Sequence, residues 1–229
     1  RILYFDIETA GVNALKSDLG FAVCFGYKFE GDAKARCLTI DEASLKKFDD
    51  RKLMIEASKV MEQASILVAH FGAVFDRRFI QGRLLINGLP PIPKTHMRDT
   101  CFMRRSISNF SSHRLKHLAN ILQLKNRKIE KGDDSVCPWP RAWFQVMQGN
   151  MRALKGMAEY CKGDVEALQE LYHMIRPFDQ NHPRMVDDRS VCNICGSEVQ
   201  YRGFTYLGNY RYRRYVCLKD GCRKGDRER

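Results

Sequence analysis

The sequence contains no long apolar segment and no tract of repeated or biased composition. No run approaches the roughly 20 apolar residues that a membrane-spanning helix needs. The first residues also lack the pattern of a secretory signal peptide. These absences predict a cytoplasmic protein with no membrane partner. With 229 residues, 44% of them hydrophobic, the chain can bury one complete core and carry a small additional module.

Acidic residues are scarce relative to basic ones. The chain has 27 Asp and Glu against 39 Lys and Arg, a formal net charge of +12 at pH 7. Much of the excess falls between Arg98 and Lys131, where nine basic residues accompany Asp99 and Glu130. Such a run can be the solvated face of a helix, or it can follow the phosphates of a nucleic acid, with binding that weakens as salt rises. The candidate contact residues in this segment are Arg104, Arg105, Arg114 and Lys116.

Two of the acids stand at the end of the first apolar run, which predicts a strand. Asp6 and Glu8 are separated by one residue. Because strand side chains alternate between faces, both carboxylates leave the same face. They repel each other unless a cation lies between them, and carboxylate oxygens are ligands of hard divalent metals. The pair is a candidate metal site, although a solvated strand end has the same pattern.

Two later segments add acids in a similar context. A predicted buried strand at residues 64–70 leads into an apolar helix with Asp76 near its start. Further on, a helix with periodic apolar residues carries Tyr160 and Asp164. Residues four apart share a helix face, so the phenol lies one turn before the carboxylate.

These three motifs resemble those of the DEDD exonucleases of the RNase H-like superfamily. The Asp-x-Glu motif of that family is similar to residues 6–8, its Asn-Gly-x-x-Phe-Asp motif to residues 71–76, and its Tyr-x-x-x-Asp motif, found in the tyrosine branch, to residues 160–164. The three motifs occur in the family's order over roughly the first 180 residues. One departure is Phe71, which stands where the family usually has Asn.

The resemblance implies a two-metal phosphodiesterase. Two divalent cations, Mg²⁺ or Mn²⁺, would activate the attacking water and stabilise the leaving oxygen. Tyr160 would orient that water. The implied metal ligands are Asp6, Glu8, Asp76 and Asp164.

Three neighbouring features are assigned structural roles or left open. Asp99 is expected to cap the helix that follows it rather than to act as a fifth ligand. His70 is expected to be hydrogen-bonded in place and is not counted as a ligand. The irregular segment 131–143 is a long loop that could wall the site. Either Trp139 or Trp143 could stack on a terminal base or pack against the last helix.

The organisation of the chain changes after Pro177, and residues 186–229 are predicted to form a second domain. Four cysteines occur there as two close pairs, which is the pattern of a zinc ribbon. Two disulfides or four free thiols are the alternatives. A segment this short cannot be stabilised by a hydrophobic core alone, so a structural metal is expected. The segment resembles ribbons found beside phage nucleases and transposases. The predicted zinc ligands are Cys192, Cys195, Cys217 and Cys222.

Between the cysteine pairs, tyrosines and arginines alternate around Gly208-Asn209, which predicts a β-hairpin. In a single strand this alternation places rings on one face and guanidiniums on the other. The rings can form the core of the ribbon or stack on bases, and we leave them undecided. A protein partner for the ribbon is a further alternative. The arginines are predicted to contact nucleic acid: Arg202, Arg211, Arg213 and Arg214.

The expected fold is therefore an α/β RNase H-like mixed sheet flanked by helices at residues 1–180, followed by a small zinc ribbon. Strands at about 1–7, 19–29 and 35–40 would form a meander, a helix would run from about Glu42 to Gln63, and further helices would extend to Ile175.

The expected function is a two-metal-ion-dependent 3′–5′ exonuclease that acts on single-stranded or frayed ends, with DNA favoured over RNA. Two alternatives stay open: a nucleic-acid-binding protein whose nuclease fold is idle, and a structure-selective endonuclease. A phage gene expressed in a bacterial host is the expected origin.

Overall fold

The computed structural model describes residues 1–126, 141–179, 182–183, 190–220, 222 and 225–228. The chain divides into two compact units. The first unit comprises Arg1–Phe102 and Phe110–Leu171, and the second comprises Met103–Asn109 and Tyr172–Arg229. The predicted domain limits of 1–180 and 186–229 stay a prediction.

A five-stranded mixed sheet forms the first unit, in the order β3-β2-β1-β4-β5. The first three strands are antiparallel neighbours, while β4 and β5 continue the sheet in parallel on the other side of β1. The predicted meander and the mixed α/β sheet are confirmed. The strands are β1 (Ile2–Gly11), β2 (Gly20–Phe29), β3 (Arg36–Thr39), β4 (Ile66–Ala69) and β5 (His96–Asp99).

Helices connect and flank these strands. None within the described ranges is long and apolar enough to cross a membrane. The last helix begins at Met151, six residues before Met157, where the helical spacing of apolar residues becomes regular. The helices are α1 (Glu42–Lys46), α2 (Arg51–Glu62), α3 (Asp76–Ile86), α4 (Thr100–Ile107), α5 (Leu115–Ile121), α6 (Arg141–Met147) and α7 (Met151–Ile175), which leads into a 3₁₀ turn, Arg176–Phe178.

The single helix predicted from Glu42 to Gln63 is wrong. The helix is interrupted between α1 and α2, where Phe48 adopts a left-handed backbone conformation with φ of 54°. Asp50 then turns into the core, where it accepts hydrogen bonds from the Ala22 N–H at 2.8 Å and from Arg83 at 2.9 Å. A buried carboxylate that is paired in this way fixes the break, because a continuous helix would take Asp50 away from both partners.

The core lies between the sheet and its helices, and β1 and β2 are its most buried elements. Every residue of β2 is buried. Gly26 of β2 is required by a close approach: a Cβ there would lie 2.6 Å from the Cys161 Sγ of α7. The sheet and α7 therefore pack directly on each other at the middle of β1 and β2.

The second unit contains a separate three-stranded antiparallel sheet in the order β6-β7-β8. Its strands are β6 (Val199–Leu207), β7 (Tyr210–Cys217) and β8 (Gly225–Glu228). The predicted hairpin is confirmed, because β6 and β7 join through Gly208 and Asn209, with Gly208 at φ of 54°. Four side chains form its buried cluster: Cys192, Ile194, Cys217 and Cys222.

Candidate active site

Three of the predicted acids meet where α7 crosses the central strand. Asp6 and Glu8 are on β1, and Asp164 is on α7. One carboxylate oxygen from each lies within 4.8 Å of the other two. Glu8 is 8% exposed and Asp164 is 7% exposed, so their charges are poorly screened by water. We call Asp6, Glu8 and Asp164 the acid cluster. Three carboxylates this close repel one another, and either a bound cation or a retained proton relieves that repulsion.

Asp76 lines the same cleft as the acid cluster but is not part of that cluster. It is the first residue of α3 and is 4% exposed. Its Oδ1 accepts a hydrogen bond from the backbone N–H of Ile7, at 3.2 Å, between the two acids of β1. Burial raises the pKa of Asp76 to about 7, and the charge of Asp99 adds to the rise, while the backbone N–H groups of Asp76 and Ile7 oppose it. Its role as a fourth metal ligand stays a prediction.

A cleft of about 750 Å³ opens onto all four acids. Tyr160 lines it one turn before Asp164, half-buried. Trp143 of α6 lies in its wall and also packs against the core. The stacking role of Trp143 stays a prediction, while Trp139 and residues 131–140 lie outside the described residues. The remaining lining includes Leu15, Lys16, Ser17, Asp18, His70, Phe71, Phe75 and Arg78.

Asp99 organises the turn that precedes α3. Its carboxylate accepts hydrogen bonds from the N–H groups of Phe71, Ala73 and Cys101, each at 2.9 Å. The bond from Cys101 is the predicted helix cap, which is confirmed. The other two bonds were not foreseen from the sequence, because the partners lie 28 and 26 residues away.

His70 is held in place as expected. Its Nε2 donates to the His113 carbonyl oxygen at 2.7 Å, and its Nδ1 lies 2.8 Å from the Thr100 hydroxyl. Gly72 follows in the tight turn, where a Cβ would lie 2.3 Å from the Ala69 Cβ. These contacts bring the end of β4 close to Asp76.

The loop between β1 and β2 forms another wall of the cleft. Arg83 donates to the Ser17 carbonyl oxygen at 2.9 Å while its guanidinium is paired with buried Asp50. A Cβ on Gly82 would lie 2.2 Å from the Ser17 Oγ, so the loop rests directly on α3. Sequence reasoning missed this anchor, because nothing local connects residues 17, 50 and 83.

A buried thiol lies directly behind the acid cluster. Cys161 donates toward the Asp6 carbonyl oxygen at 3.6 Å and its Oδ2 at 3.7 Å. A hydrogen bond with Cys37 and burial raise the pKa of the Cys161 thiol. A neutral thiol adds no further negative charge beside Asp6. Cys161 was not singled out from the sequence, and its position one residue after Tyr160 is the signal that could have found it.

The four predicted zinc ligands lie close together in the second unit and form a second candidate metal site. The Sγ atoms of Cys192, Cys195, Cys217 and Cys222 all lie within 4.8 Å of one another. The Sγ of Cys195 lies 3.5 Å from that of Cys217, and the Sγ of Cys192 lies 3.7 Å from that of Cys222. We call these residues the cysteine cluster. Four thiols that converge in this way are compatible with a zinc ribbon.

The hairpin does not separate rings from guanidiniums as the sequence of β7 alone suggested. Phe204 pairs with Arg213 and Tyr206 with Arg211, and cross-strand partners share a face. The register shifts between Tyr201 and Phe204, so the β6 rings meet the β7 arginines. The Arg211 guanidinium carbon lies 3.5 Å from the Phe204 ring centroid, and that of Arg213 lies 4.8 Å from the Tyr201 centroid. We call Tyr201, Phe204, Tyr206, Arg211 and Arg213 the aromatic-arginine face.

The other predicted nucleic-acid contacts lie in several places. Arg214 donates to the Arg202 carbonyl oxygen at 3.2 Å, at the register shift of the hairpin. Arg114 and Lys116 are exposed at the start of α5. The side chains of Arg104 and Arg105 lie outside the described part of the chain, as do residues 127–131.

Comparison with known proteins assigns the first unit to a family. Residues 3–176 match the RNase_H superfamily. The chain belongs to the RNase_H superfamily, and its mixed sheet with flanking helices is an RNase H-like α/β fold.

Two further comparisons found similar proteins. Over 88 residues the chain is 34% identical to a DNA polymerase III PolC-type from Ureaplasma parvum serovar 3, which covers 38% of this chain and 6% of that protein. Its fold also matches the family B DNA polymerase of the archaeon Pyrobaculum calidifontis, with a TM-score of 0.57 and 14% identity over 78% of this chain and 25% of that one. The chain thus spans only a small part of each relative.

Proposed function

We propose that this protein is a DEDD-type 3′–5′ exonuclease of the tyrosine branch that hydrolyses phosphodiester bonds with two divalent metal ions. The observation that carries the proposal is the acid cluster: three carboxylates, two of them buried, within 4.8 Å of one another at the floor of an open cleft. Nothing in an apolar core requires such a cluster, and the repulsion within it favours a bound cation.

The donor set fits magnesium or manganese. Carboxylate oxygens are the ligands that these hard cations prefer, and an open cleft leaves positions for water and substrate. Asp6, Glu8 and Asp164 would hold the ions, with Asp76 as the fourth ligand once its proton is lost. When bound, such ions supply an activated water and stabilise the leaving oxygen.

The chain's own residues have separate tasks in this proposal. Tyr160 orients the attacking water from the wall of the cleft, because its phenol is a poor base but a good hydrogen-bond partner. Lys16 and Arg78, which line the same cleft, attract the phosphates of the substrate strand. Cys161 stays neutral behind Asp6 and supports the position of its carboxylate.

The proposed substrate is the 3′ end of single-stranded or frayed DNA. Both relatives are DNA polymerases by name, which favours DNA over RNA. The cysteine cluster is proposed to hold one structural zinc, and the ribbon to contact nucleic acid through the arginines of its hairpin. Zinc thiolates suit a reducing compartment such as the cytoplasm of a phage-infected bacterium.

Asparagine substitutions in the acid cluster test the proposal. We expect Asp6→Asn and Asp164→Asn to lower cleavage of 5′-labelled single-stranded DNA by roughly two to four orders of magnitude, because amides replace charged metal ligands. The matched control is Glu159→Gln, an exposed acid of α7 paired with Lys162, which should retain activity. Full cleavage by both cluster variants would overturn the two-metal assignment. The pattern of products separates the alternatives, since a ladder indicates an exonuclease and a few internal bands an endonuclease.

Tyr160→Phe tests the water-orienting role. It removes the hydroxyl while the ring still fills its place, so the metal dependence should be unchanged. We expect turnover to fall by roughly 10- to 100-fold, as for a misplaced reactant. Titration of activity against manganese measures both quantities. Unchanged turnover would leave Tyr160 as a packing residue of α7.

A further inference from the structure

Two exposed phenylalanines form a stacked pair at the edge of the cleft. Phe71 is 43% exposed and Phe102 is 37% exposed. Their ring centroids are 6.2 Å apart with an interplanar angle of 28°. Phe71 lines the same cleft as Asp6, Asp76 and Asp164. An aromatic surface left open beside candidate catalytic acids is placed to meet a substrate group rather than the core.

The backbone at Phe71 supports this interpretation. Its φ of 66° is in the left-handed region, which is unfavourable for a bulky aromatic residue. The strain is not compensated by full burial of the ring. It is maintained by Asp99, which accepts hydrogen bonds from the N–H groups of Phe71 and Ala73, and by the close packing of Gly72 on Ala69. The chain therefore holds an exposed ring in a strained conformation next to the acids, as functional sites often do.

We infer that Phe71, supported from behind by Phe102, is a stacking platform for an unpaired nucleobase of the substrate strand. The inference rests on the proposed function and adds a base-binding subsite to it. A flat aromatic ring binds any base through its π face, and each such stack contributes a preference of roughly 5- to 100-fold in affinity. Bases inside a duplex are covered by their neighbours, so the platform favours frayed or single-stranded ends.

Phe71 is also the position where this chain departs from the DEDD pattern, which usually has Asn there. Asparagine tolerates the left-handed backbone and offers hydrogen bonds, whereas phenylalanine offers a ring. The platform would thus be a property of this chain. It predicts weak dependence on base identity and strong dependence on the presence of a base.

The chain contains a matched control for the test. Phe48 also has a left-handed backbone, with φ of 54°, and is 51% exposed. It too lies against another phenylalanine, Phe21, at 5.4 Å between centroids, but it is in the turn between α1 and α2 and does not line the cleft. Phe71→Asn and Phe48→Asn therefore remove the same exposed ring from the same backbone conformation at two places.

The first measurement is the fluorescence of 2-aminopurine at the 3′ end of a single-stranded DNA, with calcium in place of magnesium to slow cleavage. Stacking on an aromatic ring should quench the probe when the wild-type protein binds. We expect Phe71→Asn to lose the quenching and to bind roughly tenfold more weakly, and Phe102→Ala to show a smaller loss. Phe48→Asn should behave as the wild type does.

The second measurement compares cleavage of DNA that ends in a normal or an abasic nucleotide. The wild type should show a KM roughly tenfold higher for the abasic end. In Phe71→Asn the two substrates should become equal, because the ring that distinguishes them is gone. Equal responses of Phe71→Asn and Phe48→Asn in both measurements would overturn the platform. Quenching by a wild-type protein that cannot cleave would support the platform and overturn the exonuclease.

Discussion

Where the first unit packs phenylalanine, leucine and methionine, the ribbon of the second unit packs cysteine. The sheet of the first unit encloses Phe5, Phe25 and Met54, each with no exposed surface. In the ribbon, three buried cysteines and Ile194 form the cluster, and the fourth cysteine, Cys195, packs against it. Most rings of the hairpin stay exposed. A segment of about 40 residues cannot bury enough apolar surface to fold alone, so a metal is expected to replace the core there.

The difference extends to how each region would contact a nucleic acid. The first unit presents a deep cleft with acids at its base, which suits chemistry on one phosphodiester. The hairpin presents the aromatic-arginine face, which is shallow and positively charged and suits binding along a strand. Most of its rings are exposed and so available for contact, while Tyr201 also packs against buried Tyr215, and the role of the rings stays a prediction.

Removal of the ribbon metal should produce the largest effect. Structural zinc contributes about 10–16 kcal/mol of apparent binding energy in zinc-finger peptides, far more than any single contact in a core. We expect one zinc per chain in the purified protein, measured by elemental analysis. Cys217→Ser should lose it and unfold the ribbon, while the thermal transition of the first unit persists. Cys37→Ser, at a half-buried cysteine of β3, should retain the metal. Zinc retained in Cys217→Ser would contradict the ligand set.

A smaller effect is expected at Asp76, where the first unit buries a charge. Its pKa of about 7 in the folded protein is above the unfolded value, so the folded state holds a proton that the unfolded state releases. The stability of the metal-free protein should therefore be highest below about pH 4 with respect to this group and should fall as pH rises toward 7. Thermal unfolding at several pH values in EDTA measures this slope.

Asp76→Asn should remove that slope and raise the Tm at pH 8 by roughly 2–4 °C, equivalent to about 1 kcal/mol for a domain of this size. Asp18→Asn, an exposed acid of the same cleft, should leave the slope intact. Magnesium should flatten the wild-type slope if Asp76 is a ligand, because the metal favours the ionised carboxylate. A wild-type slope that magnesium does not change would remove Asp76 from the ligand set.

The smallest effect concerns the aromatic-arginine face. Arg213→Gln should weaken binding of long single strands a few-fold and reduce the slope of log affinity against log salt by about one. Lys59→Gln removes an equal charge from the exposed face of α2 and should change the slope less. Fluorescence anisotropy from low to moderate salt measures both. Equal slopes for the two variants would indicate that the hairpin does not contact the phosphates and would favour a protein partner for the ribbon.

The part of the fold that follows local periodicity could be predicted from the sequence. Strands β1 and β2 are mostly apolar, and α7 has apolar residues at helical spacing, so their positions follow from local sequence patterns. The proximity of Asp6, Glu8 and Asp164 required one more step, the resemblance to a family, because the sequence itself does not relate residue 8 to residue 164.

Features that depend on distant partners could not be predicted. The break before α2 exists because Asp50 meets Arg83, which is 33 residues away. The double role of Asp99 depends on Phe71 and Ala73, and the composition of the aromatic-arginine face depends on a register shift between strands. Each is a tertiary contact that no window of neighbouring residues contains.

The chain order of the acid cluster has a consequence for synthesis. Asp6 and Asp164 are 158 residues apart in the sequence, yet their carboxylates meet in the folded protein. At a translation rate of about 5–20 residues per second, roughly 8 to 30 seconds separate the appearance of the first acid from that of the last. The nascent chain therefore cannot assemble the cluster while most of the domain is still being made. If the proposed nuclease activity depends on this cluster, a ribosome-bound chain stays inactive toward the nucleic acids around it until α7 is complete.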